Sequence, residues 1–425
     1  MLSRRAFLAS TVVLAAGCGG LEFPFTVLGT PQETALTWVT RALPGFTTPL
    51  GLSPHQERLQ WVVRKLTENS ESSYSPERGR YSLTLRYVNW EDFPELEMLP
   101  AWLEELGADL VTLWPGQARV LGEQGVLIPL DRFGEGNGSD FEKEFYESVL
   151  NPFRASGALY ALPVGANPLM LNFDVDYFAQ VGVAPSNSSW DWDVLVENAL
   201  RLTQREEDGT VSRWGLEAHG HFIWWALWQN EAEMVEPLTS QCRLQDPAAI
   251  EALEFFRGLI HTHRVSPAAL GTDLARLIYD PAGSPPAMLY NSSPPGPPHY
   301  SYRRVELTVG KVRSVPVSTD PGIAIVAQTA KPEAAYTALR GLVHTMRPYV
   351  NVPSEREAVA RLGQIRSDLQ PKEVTAVQNS MENGRTEPQD AAQNRAMYTL
   401  VEALVRGDDV ASAVNHACSV LYENR

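Results

Sequence analysis

Eleven tryptophans are spread through a chain of 425 residues, and three of them stand beside side chains that could share their chemistry. Trp38 lies near Arg41, Trp90 adjoins Asn89, Glu91 and Asp92, and Trp114 lies near Gln117. A sugar ring needs an apolar face on which its C–H groups pack and planar polar groups that exchange paired hydrogen bonds with its hydroxyls. Trp38, Trp90, Asp92 and Trp114 are therefore candidate ligand-binding residues, with burial in a core as the competing reading for each tryptophan. A second group falls in Gly220–Val235, GHFIWWALWQNEAEMV. There Ile223, Trp224, Leu227 and Trp228 share one helical face while Trp225 lies off it, which makes Trp225 the ligand candidate of that group. Catalysis has no motif: there is no Gly-x-Ser-x-Gly elbow, phosphate-binding glycine loop or His-Glu-x-x-His, and a glycosidase carboxylate pair cannot be recognised without geometry. His219-x-His221 and His261-x-His263 lack partners at zinc-ligand spacing, so no metal or cofactor is expected.

The elements that must position these residues follow from periodicity. Thr34–Thr40 alternates as a strand, Pro54–Leu66 carries the spacing of one helix face, and Tyr81–Trp90 alternates again. Leu96–Leu106 returns to helical period, Gly107 ends it, and Ala108–Trp114 is a third strand. Alternating strands and helices predict a mostly parallel sheet, and the crevice of such a sheet lies beyond the carboxyl ends of its strands, where Trp38, Trp90 and Trp114 fall. Leu159–Val183 reads as a buried extended segment that runs into a helix, with Asp174 or Asp176 as its cap and Gly182 as its stop. Further on, Asp208-Gly209 marks a turn before a strand over Val211–Glu217, Ile250–Ile260 and Asp273–Ile278 are helices, and Ala287–Asn291 is a strand. Pro294–Pro298 makes a stiff loop. Gly322–Ala327 is a strand leading into a helix through Leu342, and Ala391–Val405 and Ala411–Tyr422 are helical. No internal repeat or transmembrane span is visible.

A chain this long, 44% hydrophobic, can fill two cores. Its formal net charge of -16 argues against a nucleic-acid partner, which needs a basic surface. Ser3-Arg4-Arg5-Ala6-Phe7-Leu8 is similar to a twin-arginine export signal, and the apolar run Leu8–Ala16 is too short for a permanent span. Leu14-Ala15-Ala16-Gly17-Cys18 resembles a lipobox, which implies lipidation of Cys18 and an extracytoplasmic, membrane-anchored protein; an ordinary signal peptide is the alternative. Cys242 and Cys418 then remain, read here as two buried thiols, with a disulfide as the other possibility.

Tyr160-Ala161-Leu162-Pro163, Gly165-Ala166-Asn167-Pro168-Leu169, Asn172, Asp176, Phe178 and Gly182-Val183 resemble the crossover segment of carbohydrate-type extracellular solute-binding proteins of ABC importers, the maltose-binding-like family. Ser189–Leu195 is similar to that family's helix-opening Thr-Trp-Asp-Glu-Leu pattern, with Trp190 as a structural plug. Gly322–Ala327 with Lys331–Tyr336 resembles its return to the first lobe. The resemblance implies an α/β fold of the two-lobed, type II Venus-flytrap kind. Its expected parts are a signal peptide over 1–18, a tether over 19–31, a first lobe over 32–158 plus about 320–350, a hinge over 159–174, a second lobe over 175–319, and helices over 351–425 packed on the lobes. It further implies a non-enzymatic monomer that captures a sugar or polyol and delivers it to the permease subunits. A sensory receptor and a secreted carbohydrate-active enzyme are the alternatives. On the crossover and return segments Asn167 and Asn291 become candidate ligand contacts. Ser292-Ser293-Pro294-Pro295 replaces the family's Gly-Ser-Trp, so the aromatic contact expected there is absent or falls to Tyr290, His299 or Tyr300. A phosphorylated ligand would call on Arg41 or Arg119.

Overall fold

The structure is a computed structural model that describes residues 34–41, 64, 81–88, 92–134, 141–185, 190–218, 220–236, 239–271, 273, 284–291, 302–305, 314–388 and 390–423. All of them fall in one compact unit, Glu33–Arg425. Apart from residues 64 and 273, the expected helices over 54–66 and 273–278 lie outside the described residues, as do the tether, Cys18, Trp90 and the proline-rich 294–298.

In the first lobe β1 (Thr34–Arg41) runs parallel to β2 (Tyr81–Val88), with Thr34 opposite Tyr81 and Arg41 opposite Val88. The chain continues through α1 (Leu99–Glu105), closed by Gly107 in the left-handed region at φ 58°. Then come β3 (Leu110–Leu113), α2 (Pro115–Glu123), the single turn α3 (Glu147–Leu150) and β4 (Ala161–Pro163). Next, β5 (Gly165–Pro168) and β6 (Met170–Asp174) carry the chain into the second lobe. The Asp174 carboxylate accepts from the amides of Asp176 and Tyr177 at 3.1 and 3.2 Å, which opens α4 (Val175–Val181), and Gly182 closes it at φ 71°. The same carboxylate forms a buried ion pair with Arg213 at 2.6 Å. The second lobe adds α5 (Trp192–Leu202), α6 (Gly220–Gln229), α7 (Pro247–His261), β7 (Met288–Asn291) and β8 (Tyr302–Val305). Beyond these, β9 (Val315–Thr319), β10 (Gly322–Ile325), α8 (Pro332–Met346), β11 (Val352–Pro353), α9 (Pro371–Glu382) and β12 (Gly384–Arg385) return to the first lobe, and α10 (Ala391–Arg406) and α11 (Val410–Tyr422) end the chain.

Strand order in the first-lobe sheet is β2-β1-β3-β10-β4, in which β10 runs against its neighbours. The second-lobe sheet is antiparallel, β7-β6-β8. Between them lies a four-stranded sheet, β11-β5-β9-β12. The apolar side chains fall into two clusters. One holds Leu36 through Ala166 and Met170 together with Val317 to Met381, and the other holds Leu169 and Leu171 through Tyr290 together with Ala396 to Leu421. The cores change over Ala166–Leu171, where Leu169 and Leu171 pack in the second core and Met170 still in the first, and again between Met381 and Ala396, so the C-terminal helices are divided: α8 and α9 belong to the first lobe, α10 and α11 to the second. Trp190, 5% exposed, sits in the second core, beside the Asp191 cap of α5. Cys242 and Cys418, expected as thiols, are joined by a disulfide. Sequence separation of 176 residues hid the pairing; it arises because α11 packs on α7 and the Cys242 amide donates to the Tyr422 hydroxyl at the end of α11 at 2.7 Å.

Candidate functional site

The carboxyl edge of the first-lobe sheet gathers one of the expected clusters. Trp114, half-buried, stands between β3 and α2, and its backbone amide donates to Gln117 Oε1 at 3.1 Å. Gln117 therefore serves a local cap. The Arg41 guanidinium lies 5.6 Å from the Trp114 ring and 5.0 Å from that of Phe93, a cation held between two aromatic faces. Burial lowers Arg41 to about 10, so it stays charged at neutral pH. Asp92, exposed, is next to Phe93 in the chain.

Other expected contacts are placed elsewhere. Trp38 is 1% exposed and its Nε1 donates to Thr112 Oγ1 at 2.9 Å, which makes it a core residue of the first lobe. The reason is register: β1 runs on to Arg41, so Trp38 falls inside the strand and not at its end. Trp225 is also a core residue. An amphipathic reading of α6 presumes a solvent face, but the helix is buried on all sides among α7, α10 and β9, and Trp225 packs on Phe222 at 4.6 Å and on Tyr290 at 5.8 Å. Tyr290 is equally enclosed, its hydroxyl has no partner, and burial, with Glu387 nearby, pushes its pKa well up. Asn291 is placed by its backbone, opposite Met170. Asn167 lies on the hinge sheet with its amide engaged, donating to Asp320 Oδ1 at 2.8 Å and accepting from Asn351 at 3.1 Å. Burial raises the Asp320 pKa, and the Asn167 bond offsets part of that rise.

A polar cavity of about 520 Å³ opens where the first lobe meets the segment between β12 and α10. Arg119 on α2, Ser148 on α3, Arg154, Arg385, Thr386 and Glu387 contribute to its wall. The last three stay in place through contacts on both sides. Thr386 Oγ1 donates to the Ser148 carbonyl of the first lobe. Arg385 pairs with Glu233 at 2.7 Å and stacks over Trp228 at 4.4 Å, both second-lobe residues. β12 is held parallel to β9 through Val315 opposite Gly384, and a Cβ at Gly384 would come within 2.8 Å of Val317. The sequence points to Arg119 only for a phosphorylated ligand and to none of the other wall residues Ser148, Arg154, Arg385, Thr386 and Glu387. Their one signal in the sequence was the break between two helical stretches near Asn383-Gly384.

Two cores joined by a hinge sheet, with a solute-sized polar cavity at the junction, is the geometry of a capture protein. Residues 104–340, more than half of the chain, match the family model of the bacterial extracellular solute-binding proteins. The chain belongs to that family. Its fold is the two-lobed, type II one of solved relatives. The ABC substrate-binding protein of Listeria monocytogenes in complex with cycloalternan is 15% identical, at a TM-score of 0.67 over 92% of this chain and 99% of the other. The cyclic alpha-maltosyl-1,6-maltose binding protein of Arthrobacter globiformis is 17% identical, with a TM-score of 0.66 over 92% and 98%. UgpB of Mycobacterium tuberculosis in complex with glycerophosphocholine is 18% identical, with a TM-score of 0.62 over 86% and 94%. The family places the protein outside the cytoplasm. Among the described residues no group of His, Cys, Asp and Glu could hold a metal ion, and no helix is long and apolar enough to cross a membrane. His261 is occupied structurally, its Nε2 donating to the Leu404 carbonyl at 2.8 Å.

Proposed function

We propose that this solute-binding protein captures a carbohydrate-like ligand between its lobes and delivers it, as a monomer tethered through a lipid on Cys18, to the permease of an ABC importer. The observation that carries the reading is the junction cavity. Its volume of about 520 Å³ suits a small hydroxylated molecule, and it is lined by guanidinium, hydroxyl and carboxylate groups able to bond hydroxyls. The solutes bound by similar proteins support the class: cycloalternan, ribitol and glycerophosphocholine. Mechanistically, a ligand that touches the first-lobe wall and the β12–α10 segment together favours the conformation in which the lobes approach, and that population is the one a permease would recognise. No covalent step is involved. The Trp114, Phe93 and Arg41 cluster at the strand ends offers an additional apolar face for a longer ligand. The test is a thermal-shift screen against mono- and oligosaccharides, polyols and sugar phosphates. A saturable rise is expected, about 2.7 kcal/mol of stabilisation at a hundredfold excess over Kd, and it should be lost in Arg385→Ala. No shift with any of these ligands, on a protein that melts cooperatively, would refute the carbohydrate reading.

A further inference from the structure

Two residues of the cavity wall each hold a buried polar atom without a hydrogen-bond partner. Arg119 Nε and Ser148 Oγ are both shielded from solvent, and neither has a hydrogen-bond partner. The other two guanidinium groups in the wall are compensated within the chain. Arg154 pairs with Glu142 and, at 3.8 Å, with Asp131, and Arg385 pairs with Glu233. Among the described residues no acid lies within salt-bridge distance of Arg119. Of the two carboxylates in the wall, Glu147 is exposed to water at the start of α3 and Glu387 already has an interaction of its own. Burying such donors unmet costs about 1–3 kcal/mol each, so the cavity is built to be completed by something that accepts.

A neutral hydroxyl answers this poorly, because it accepts at one point and brings a proton that needs its own acceptor. An oxyanion accepts from several donors, brings no proton, and compensates the guanidinium of the cavity wall that has no acid beside it among the described residues. Hydrogen bonds between ionised partners are also roughly twice as strong as neutral ones. We propose that the junction cavity binds the oxyanion of an acidic hydroxylated solute, a carboxylate or a phosphate monoester, with Arg119 and Ser148 as its donors. The inference rests on the capture function proposed above and adds the charge of the ligand to it.

Isothermal titration at low salt with matched pairs tests it: glucose against glucuronate and glucose 6-phosphate, glycerol against glycerol 3-phosphate, and an oligogalacturonate against its methyl ester. At least one acidic member should bind tenfold or more tighter than its neutral partner, with a Kd that rises with added salt. Which arm responds tells carboxylate from phosphate. In Arg119→Gln the ratio of neutral to acidic Kd should fall to within twofold, and Arg119→Lys, which keeps the charge but not the planar fork, should retain part of it. Equal affinity within every pair, or a ratio untouched by Arg119→Gln in a protein that still melts cooperatively, overturns the oxyanion inference and leaves the capture reading standing. Failure of every probe, acidic and neutral, in both this titration and the thermal-shift screen removes the capture reading itself and the inference with it.

Discussion

Glu217 makes the stability of the second lobe depend on pH, and the size of that dependence follows from its surroundings. The residue bridges to Leu289 on β7, and its amide donates to the Met288 carbonyl at 2.8 Å, which fixes the backbone at the inner edge of the sheet. Its side chain is 1% exposed, and neither carboxylate oxygen has a hydrogen-bond partner. Desolvation therefore raises its pKa from 4.5 to about 8. The folded protein keeps a proton that the unfolded chain gives up between those two values. Unfolding releases that proton, so stability falls as pH rises. At about 1.36 kcal/mol per pH unit, the loss relative to acid pH amounts to about 1 kcal/mol at pH 5, about 3 at pH 7 and about 4 at pH 8, and levels off near 5 above that. Glu217→Gln mimics the protonated acid and should abolish the slope. Urea unfolding followed by tryptophan fluorescence at pH 5, 6, 7 and 8 measures it. The variant should be the more stable by only about 1 kcal/mol at pH 5 and by about 4 kcal/mol at pH 8. Other titrating groups, Asp320 among them, are common to both and cancel in the difference. Parallel stability curves would show that the carboxyl is ionised when buried, and the reasoning would fail.

The remaining predictions concern the frame around the cavity. The Cys242–Cys418 bridge spans a sequence separation of 176 residues, for which the chain-entropy relation gives about 5 kcal/mol. Cys418→Ser should therefore lower the unfolding free energy by about 2–5 kcal/mol, and a loss below 1 kcal/mol in urea titration would show that the bridge contributes little beyond the packing of α11. At Gly165 an added Cβ would run into Asp320 Oδ2 and stand 2.8 Å from Val350 Cβ. Gly165→Ala should then disturb the Asn167–Asp320 bond and cost about 1–3 kcal/mol, and an unchanged thermal midpoint would contradict that close approach.

What could be read from the sequence was what depends on near neighbours. The Asp174 cap, the Gly182 stop, the two C-terminal helices and the strand alternation of the first lobe are set by residues a few positions apart, and the structure shows each. What could not be read depends on partners brought from far along the chain. Whether Asn167 is a ligand contact or a hinge contact is decided by Asp320, 153 residues later, and the fate of Trp225 is decided by the strand that carries Tyr290. The cavity is of the same kind, yet its composition has a simple cause. The first core ends with Met381 and the second resumes at Ala396, so the residues between them must cross from one to the other and can be buried in neither. Arg385, Thr386 and Glu387 are polar because of that passage. They become cavity wall because β12 pairs with β9 and holds the crossing against Ser148. A crossing segment in a two-core chain thus places charged side chains at the junction as a consequence of connectivity, and the proposed ligand site is where a first-lobe helix, α2, brings Arg119 into the same wall with no acid at salt-bridge distance among the described residues.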